Sequence, residues 1–198
     1  MIFADEEIRN MLTEGENDLF SFYNSGDVVY KYKKREKYRT GVSWHVPTQE
    51  LISLISKYGP IVSVGSGFAY TESIAISQGV DLIATDIEPS KNNKWCRGGK
   101  FHCEVEKLTA SEAVKKYKGR NVFMGWPPYD DPMAYEVVSS MEVGSYLIYV
   151  GEGCGGCTGD DKFFETLEND FVEVDSLRIP RWSGINDYCT VYRKTSLK

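Results

Sequence analysis

The sequence predicts an α/β protein built on a doubly wound, mostly parallel sheet that ends in an antiparallel hairpin. From Pro47 onward, short apolar runs alternate with stretches of helical period, which is the arrangement of a parallel sheet covered by helices. Glycine or aspartate follows several of the apolar runs, where strands turn into helices. The last two apolar runs have no clear helix between them, which indicates the hairpin.

The individual elements follow from the apolar pattern and its stop signals. Thr48 can cap the first clear helix, and Gly59-Pro60 stops it. The predicted strands are the short apolar runs at 61–64, 82–85, 101–105, 121–124, 146–150, 171–179 and 188–192. The predicted helices have a helical period between turn residues and span 49–57, 71–77, 111–117, 132–141 and 161–168.

The N-terminal segment lacks this regular alternation. Residues 1–43 are predicted to form a helical and irregular cover, and residues 44–198 one compact unit. Ser25-Gly26-Asp27 predicts a turn within the cover. Residues 31–39 are the one strongly cationic stretch of the sequence. Two interpretations stay open for it, a solvated helix or loop face and a grip on a polyanion.

Composition narrows the function classes. The formal net charge of -6 and the pI near 5.1 disfavour a surface dedicated to duplex nucleic acid, because phosphate binding depends on Lys and Arg. Residues 1–7 have neither the basic nor the apolar region of a signal peptide, and no apolar run reaches membrane-spanning length. We therefore expect a cytoplasmic protein with no membrane association. The five cysteines are an odd set, for which free thiols are the expectation.

Gly65-Ser66-Gly67 is the first motif that points to a ligand. It lies between a predicted strand and a predicted helix, where glycines let backbone approach a ligand and the first helical N–H groups are free donors. Alone the motif is weak, because Tyr70 stands where the dinucleotide fingerprint has its third glycine. A plain tight turn is the alternative interpretation.

Asp86 strengthens the case for a nucleoside. It ends the next strand about twenty residues later, where a carboxylate can accept hydrogen bonds from both ribose hydroxyls. NAD needs the close pyrophosphate approach that the third glycine permits, and ATP normally needs a Lys-Ser/Thr phosphate loop. The residues therefore fit S-adenosylmethionine better than either nucleotide.

A metal site is a weaker possibility. Cys154 and Cys157 have the spacing of half a zinc site, which Cys96, His102 and Cys103 could complete. A single cysteine pair without a second well-spaced pair is weak support. We expect no metal, and a glycine-rich loop that turns sharply beside the site.

Several motifs together resemble the class I S-adenosylmethionine-dependent methyltransferase superfamily over roughly residues 44–193. They are the strand and turn 62–67, Asp86 after the second strand, and the Pro-Pro-Tyr loop after the fourth. More closely, the chain resembles a small branch of methyltransferase-like proteins with a Trp-Pro-Pro-Tyr loop. The residues that carry this closer resemblance are Trp44-His45-Val46-Pro47, Trp126-Pro127-Pro128-Tyr129-Asp130 with Met133-Ala134, Val150-Gly151-Glu152, 155–161 and Pro180-Arg181-Trp182.

The resemblance implies a Rossmann-like methyltransferase fold with a seven-stranded sheet, and S-adenosyl-L-methionine as the cofactor. It implies that the cofactor lies over the glycine turn with its ribose on Asp86. The predicted cofactor-binding residues are Gly65, Ser66, Gly67, Asp86, Ile87, Trp126 and Pro127. The predicted acceptor-binding residues are Trp44, Pro128 and Tyr129.

Two positions depart from the superfamily pattern. Ser63 stands where an acidic residue is frequent, two positions before the first glycine. Trp126 stands where amino-group methyltransferases carry Asn or Asp before Pro-Pro-Tyr. An indole offers one N–H donor and no acceptor, so it cannot receive the hydrogens of a target amine, and adenine or glutamine N-methylation is disfavoured. Trp126 is instead interpreted as stacking on adenine, as lying near the sulfonium, or as a core indole.

Methyl transfer is an in-line displacement, which needs a base only if the nucleophile must lose a proton. The polar side chains expected near the strand ends are His45, Asp130, Asp131 and Glu152. We favour Glu152, directly after the fifth strand, and His45, in the aromatic segment 44–47, with Asp130 as a third candidate. For each, ordinary hydrogen bonding or helix capping is the alternative.

The sequence therefore predicts a methyltransferase whose acceptor, a small molecule or a macromolecule, it does not identify. The alternative is a noncatalytic methyltransferase-fold module for binding or regulation, motivated by Ser63 and Trp126. An NAD-using enzyme is the third hypothesis.

Overall fold

The computed structural model describes residues 1–13, 28–97 and 99–196. The strands in these ranges are β1 Leu12–Thr13, β2 Ile61–Val64, β3 Leu82–Asp86, β4 Glu106–Lys107, β5 Asn121–Gly125, β6 Tyr146–Gly151, β7 Phe171–Leu177, β8 Arg181–Trp182 and β9 Tyr188–Lys194. The helices in these ranges are α1 Glu6–Arg9, α2 Val28–Gly41, α3 Gln49–Lys57, α4 Tyr70–Ser77, α5 Ala110–Lys116, α6 Met133–Ser140 and α7 Asp161–Asp170.

Seven strands form the main sheet in the order β4-β3-β2-β5-β6-β9-β7. The neighbours from β4 to β6 pair in parallel, while β9 runs antiparallel to both β6 and β7. This confirms the predicted doubly wound, mostly parallel seven-stranded sheet with an antiparallel C-terminal hairpin. The chain moves outward from β2 to β4 and then returns to add β5 on the other side of β2. The strand order therefore reverses between β2 and β5, where ligands bind in open α/β sheets.

The sheet separates two hydrophobic clusters, because alternate strand residues point to opposite faces. Val62 and Val64 of β2 pack with α5, α6 and α7 on one face. Ile61 of the same strand packs with Leu51, Ile52 and Ile55 of α3 on the other. Helix α3 begins where Thr48 accepts a 3.2 Å hydrogen bond from the amide of Leu51, as the capping prediction requires. Both faces of β2 and β5 are thus buried, which fixes their carboxyl ends.

The predicted strand at 101–105 is wrong. The third parallel strand is instead the two-residue β4, whose Glu106 and Lys107 pair with the last two residues of β3. The preceding apolar side chains pack elsewhere, since the Phe101 ring lies 5.5 Å from the ring of Phe68 just after the glycine turn. The amide of His102 also donates to the carbonyl of Phe68 at 2.9 Å. Cys103 and Val105 pack against the hydrophobic cluster on one face of the sheet. Segment 101–105 therefore contacts the glycine turn and that cluster without pairing as a strand.

The N-terminal segment packs on the C-terminal half of the chain. Strand β1 pairs antiparallel with β8, and Tyr38 of α2 lies 5.6 Å from Trp182 between ring centres. The basic stretch 31–39 forms part of α2. The predicted turn at 25–27 lies outside the described residues, and the proposed boundary between residues 43 and 44 stays a prediction. No helix within the described ranges has the length and apolarity needed to cross a bilayer.

Candidate functional site

A cavity of about 590 Å³ lies at the carboxyl ends of β2, β3 and β5, where the strand order reverses. Its size is typical of sites for small molecules and cofactors. The sequence-predicted residues that line it are Trp44, His45, Gly65, Ser66, Gly67, Asp86, Ile87, Trp126, Pro127, Pro128 and Tyr129. Residues from several distant segments thus meet at one site, as the strand order requires.

The glycine turn between β2 and α4 depends on a left-handed backbone. Gly65 has φ of 62° and Gly67 has φ of 55°, a region that favours glycine. A Cβ on Gly65 would lie 2.6 Å from the terminal methyl of Met133, and one on Gly67 would lie 3.1 Å from the sulfur of Cys96. The turn therefore combines a required conformation with close packing at the cavity wall.

The Asp86 carboxylate is fixed beside this turn by three donors. One oxygen accepts from the amide of Gly67 at 2.9 Å. The other accepts from the amide of Glu88 at 2.9 Å and from the side-chain amide of Asn93 at 3.0 Å. Burial raises the pKa of Asp86, and these hydrogen bonds oppose that rise. Asn93 was not predicted from the sequence, because its polar loop carries no periodic signal.

Glu72 supplies an acid next to Ser63. Its carboxylate accepts a 2.6 Å hydrogen bond from the Ser63 hydroxyl, and the Ser66 hydroxyl donates to that of Ser63 at 3.0 Å. Glu72 is buried, lines the cavity and comes from the first turn of α4. Burial raises its pKa to about 7. A buried acid thus lies beside Ser63 although it stands nine residues later in the sequence, and no sequence motif pointed to it.

Replacing Glu72 with Gln is expected to stabilise the protein at alkaline pH. The folded-state pKa of about 7 lies above the ordinary carboxyl value of 4.5, so an ionised Glu72 destabilises the fold fully above pH 7 and not at all below pH 4.5. The free energy of unfolding of Glu72→Gln should exceed that of the wild type by up to about 3 kcal/mol at pH 8 and converge with it near pH 4.5. Urea unfolding across this pH range measures the difference. Glu104→Gln at an exposed position is the control, and a pH-independent difference for Glu72→Gln would contradict the shifted pKa.

His45 is a buried, neutral imidazole at the cavity wall. Its Nε2 lies 2.9 Å from the Thr71 hydroxyl, and burial lowers its pKa to about 4. A Cβ on Gly125 at the end of β5 would lie 3.0 Å from the ring carbon Cε1. His45 can therefore accept or donate a hydrogen bond in the cavity, but it is a weak base.

Trp126 is held by hydrogen bonds from both its backbone amide and its indole ring. Its φ is 53°, its amide donates to the carbonyl of Val150 at 2.7 Å, and its indole N–H donates to Asp187 at 3.0 Å. The ring stacks on Trp44, with centres 5.5 Å apart and planes at 28°. Trp126 is thus both a packed indole and part of the cavity wall. Asp187 is buried, its pKa is raised to about 6 by burial, and no sequence signal pointed to it.

Several predicted site residues at the rim of the cavity are more exposed than Trp126. Tyr129 is 68 % exposed, and Ile87 after β3 is 62 % exposed. Asp130 is exposed and outside the cavity lining, with its amide bound to the carbonyl of Gly159. Asp131 lines the cavity and accepts from the amide of Met133, at the start of α6. A catalytic role for Asp130 stays a prediction.

Glu152 braces the glycine-rich loop after β6. Its two carboxylate oxygens accept from the amides of Cys157 and Asn186, each at 2.8 Å. Glu152 is buried and is not among the residues that line the cavity. Its role as a base stays a prediction, and the hydrogen bonds give it a structural function.

The cysteines are all free thiols, and Cys154 and Cys157 are exposed. No group of three or more His, Cys, Asp or Glu side chains within residues 1–13, 28–97 and 99–196 could hold a metal ion. Cys96 instead lies against the glycine turn, beside Gly67.

The basic stretch contributes two arginines to the cavity. Arg35 and Arg39 are four residues apart on α2 and both line it. Arg39 forms an ion pair with Glu36, and its guanidinium lies 4.1 Å from the centre of the Trp44 ring. The sequence signalled the charge of this stretch but not which of its residues face the site.

Searches with protein-family models and against curated proteins find no significant match. Among solved structures, the chain is similar to the Burkholderia thailandensis 1,6-didemethyltoxoflavin-N1-methyltransferase with bound 1,6-didemethyltoxoflavin and S-adenosylhomocysteine. That likeness has 14% identity and a TM-score of 0.50, and it covers 89% of each chain. The TehB-like SAM-dependent methyltransferase of Corynebacterium glutamicum is 14% identical with a TM-score of 0.49, over 85% of this chain and 98% of that one. A SAM-dependent methyltransferase of Archaeoglobus fulgidus is 14% identical with a TM-score of 0.46, over 89% of this chain and 100% of that one. At such identities the likeness shows the fold alone, which is the Rossmann-like fold of these methyltransferases.

Proposed function

We propose that the protein is an S-adenosylmethionine-dependent methyltransferase. One observation carries the proposal: the Asp86 carboxylate, at the end of β3, lies 2.9 Å from the Gly67 amide in the turn after β2, inside the cavity. The fold that it shares with solved methyltransferases supports the same function. Membership of the branch with the Trp-Pro-Pro-Tyr loop stays a prediction.

The residues at the cavity wall fit this cofactor. Gly65 and Gly67 permit close backbone approach, and Asp86 would accept hydrogen bonds from the ribose hydroxyls. The Glu72 carboxylate, buried among Ser63 and Ser66, complements the ammonium group of the methionine part. When bound, S-adenosylmethionine supplies a methyl group on a sulfonium, which the acceptor takes by in-line displacement.

The chain itself would contribute mainly position and exclusion of water. The stacked Trp44 and Trp126 form an apolar wall that can hold an acceptor in near-attack geometry. The neutral His45 can accept or donate a hydrogen bond at a polar group of the acceptor. Trp126 stands where amino-group methyltransferases carry Asn or Asp, and its indole N–H is bound to Asp187, so its side chain offers no acceptor to a target amine.

Calorimetric titration of the purified protein with S-adenosylmethionine, S-adenosylhomocysteine and NAD tests the proposal. We expect micromolar binding of the two sulfur nucleosides and none of NAD. Failure of both sulfur nucleosides to bind would overturn the cofactor assignment. Preferential NAD binding would instead support the nucleotide-using enzyme.

A noncatalytic binding module is the second candidate, and the engaged indole of Trp126 favours it. Release of S-adenosylhomocysteine in the presence of broad acceptor panels separates the two functions. Transfer to any acceptor supports the enzyme. Tight cofactor binding without turnover over all panels supports the module.

A further inference from the structure

Arg35 is a partly buried cation at the cavity wall, and none of the described residues forms an ion pair or a hydrogen bond with its buried Nε. No carboxylate of those residues forms an ion pair with its guanidinium at 4.0 Å or less. A desolvated charge without a partner is costly, so its retention needs a compensating interaction.

Neighbouring carboxylates attract this guanidinium, but none of those in the described residues forms an ion pair with it. Arg39, one helical turn further along α2, is its like-charged neighbour and is itself neutralised by Glu36. Asp187, Glu36 and Glu152 attract Arg35 through space, but none of them pairs with its guanidinium at 4.0 Å or less. Glu36 pairs with Arg39, and both oxygens of Glu152 accept from backbone amides. One oxygen of Asp187 accepts from the Trp126 indole, and the other accepts no hydrogen bond from the described residues. Arg181 is a further cation near Asp187. Arg35 therefore lines the cavity with an Nε that has no hydrogen-bond acceptor among the described residues.

The surroundings of Arg35 indicate where a ligand would lie. Arg39 packs on Trp44, and Trp44 stacks on Trp126, which follows β5. The glycine turn and Asp86 follow β2 and β3, on the other side of the point where the strand order reverses. Arg35 lies one helical turn before Arg39, and we infer that it lines the side of the cavity that holds the two indoles.

We propose that Arg35 forms an oxyanion subsite, and that the methyl acceptor is a small organic anion with a carboxylate or phosphate group. This inference rests on the proposed function for the identity of the ligand as an acceptor. Guanidinium forks match both oxyanions, and the neighbouring indoles suit an apolar or planar ligand body. The net charge of -6 favours a small anion over a polyanion.

The test uses matched probes and matched variants of the full chain at fixed ionic strength. Benzoate, phenyl phosphate and the neutral benzamide are titrated by saturation-transfer NMR, with and without saturating S-adenosylhomocysteine. Arg35→Met keeps most of the apolar stem, and Lys33→Met removes an exposed charge of the same helix as the control. We expect benzoate or phenyl phosphate to bind at least about tenfold more tightly than benzamide, and Arg35→Met to abolish that preference. Lys33→Met should change it by less than about twofold.

The anion that binds more tightly identifies carboxylate or phosphate as the recognised group. Equal affinity for benzamide, or an unchanged preference in Arg35→Met, overturns the proposal. Equal losses in Arg35→Met and Lys33→Met indicate nonspecific attraction and also overturn it. Arg35→Lys keeps the charge without the fork, so it should retain a weakened preference even if Arg35→Met does not fold.

The thermal midpoint and S-adenosylhomocysteine binding distinguish an anion subsite at Arg35 from a purely structural role and from failure of the proposed function. The thermal midpoint of Arg35→Met should be at or above that of the wild type, because the variant removes a partly buried charge that forms no ion pair within the described residues. A lowered midpoint with an unchanged anion preference would make Arg35 purely structural. Absence of S-adenosylhomocysteine binding in the wild type, with anion binding intact, would refute the proposed function and leave the subsite standing.

Discussion

Replacing Asp86 with Asn is expected to weaken S-adenosylhomocysteine binding by about ten- to a hundredfold. The carboxylate is buried at the end of β3, and its oxygens face the Gly67 amide and the Asn93 side chain. Charge-assisted hydrogen bonds contribute about 1.5 to 3 kcal/mol each, which corresponds to this range of affinity. The side-chain NH2 group that Asn introduces would also face an N–H donor where the carboxylate oxygen accepts a hydrogen bond. Calorimetric titration of both proteins measures the change.

Asp81→Asn is the matched control for this experiment. Asp81 precedes the amino end of β3, is exposed, and pairs with Arg120 far from the cavity. Its substitution should leave the affinity within about twofold, as for other surface ion pairs. Thermal unfolding shows whether Asp86→Asn remains folded. An unchanged affinity in folded Asp86→Asn would falsify the role of Asp86 in holding the ribose.

Trp126→Ala is expected to cause the largest loss of stability among the variants considered. Trp126 is 7 % exposed, and its indole stacks on Trp44 and donates a hydrogen bond to one oxygen of the buried Asp187. Truncation of a buried aromatic residue to Ala costs about 3 to 5 kcal/mol, which for a chain of this size lowers the thermal midpoint by about 10 °C. Calorimetry or urea unfolding measures the loss.

The hydrogen bond to Asp187 can be separated from the packing of the ring. Trp126→Phe keeps an aromatic ring but leaves Asp187 without its donor, which should cost about 1 to 3 kcal/mol. Burial raises the pKa of Asp187 from its ordinary value of 3.8 to about 6, so its ionisation destabilises the fold increasingly above pH 3.8 and fully above pH 6. The deficit of Trp126→Phe should therefore be larger at pH 8 than at pH 4.

The double variant Trp126→Phe with Asp187→Leu is the decisive comparison. It removes both partners, so it should recover most of the stability that Trp126→Phe loses at pH 8. The free energy of unfolding of Asp187→Leu alone measures the effect of removing the carboxylate while the indole remains. A double variant as unstable as the sum of the two single variants would mean that the indole and the carboxylate do not interact.

The sequence could predict the sheet because local patterns encode it. The apolar runs of β2, β5 and β6 are buried on both faces, so they read as continuous hydrophobic segments. Gly65 and Asp86 could be predicted to lie together at a ligand cavity because they end such runs, and strand ends meet at one edge of a parallel sheet. The strand prediction for segment 101–105 is wrong because Phe101 packs on Phe68 while Cys103 and Val105 pack against the cluster on the sheet. Those contacts are not local in sequence.

By itself the sequence determined the fold class, the glycine turn with Asp86, and the aromatic loop that begins at Trp126. The tertiary structure alone decided which other side chains join them. Glu72 meets Ser63 through the packing of α4 on β2, Asp187 meets Trp126 from the C-terminal hairpin, and Arg35 reaches the cavity from the N-terminal helix. The physical reason is that burial, hydrogen-bond partners and pKa shifts depend on contacts between segments that are distant in sequence. Such contacts leave no period or spacing in the chain.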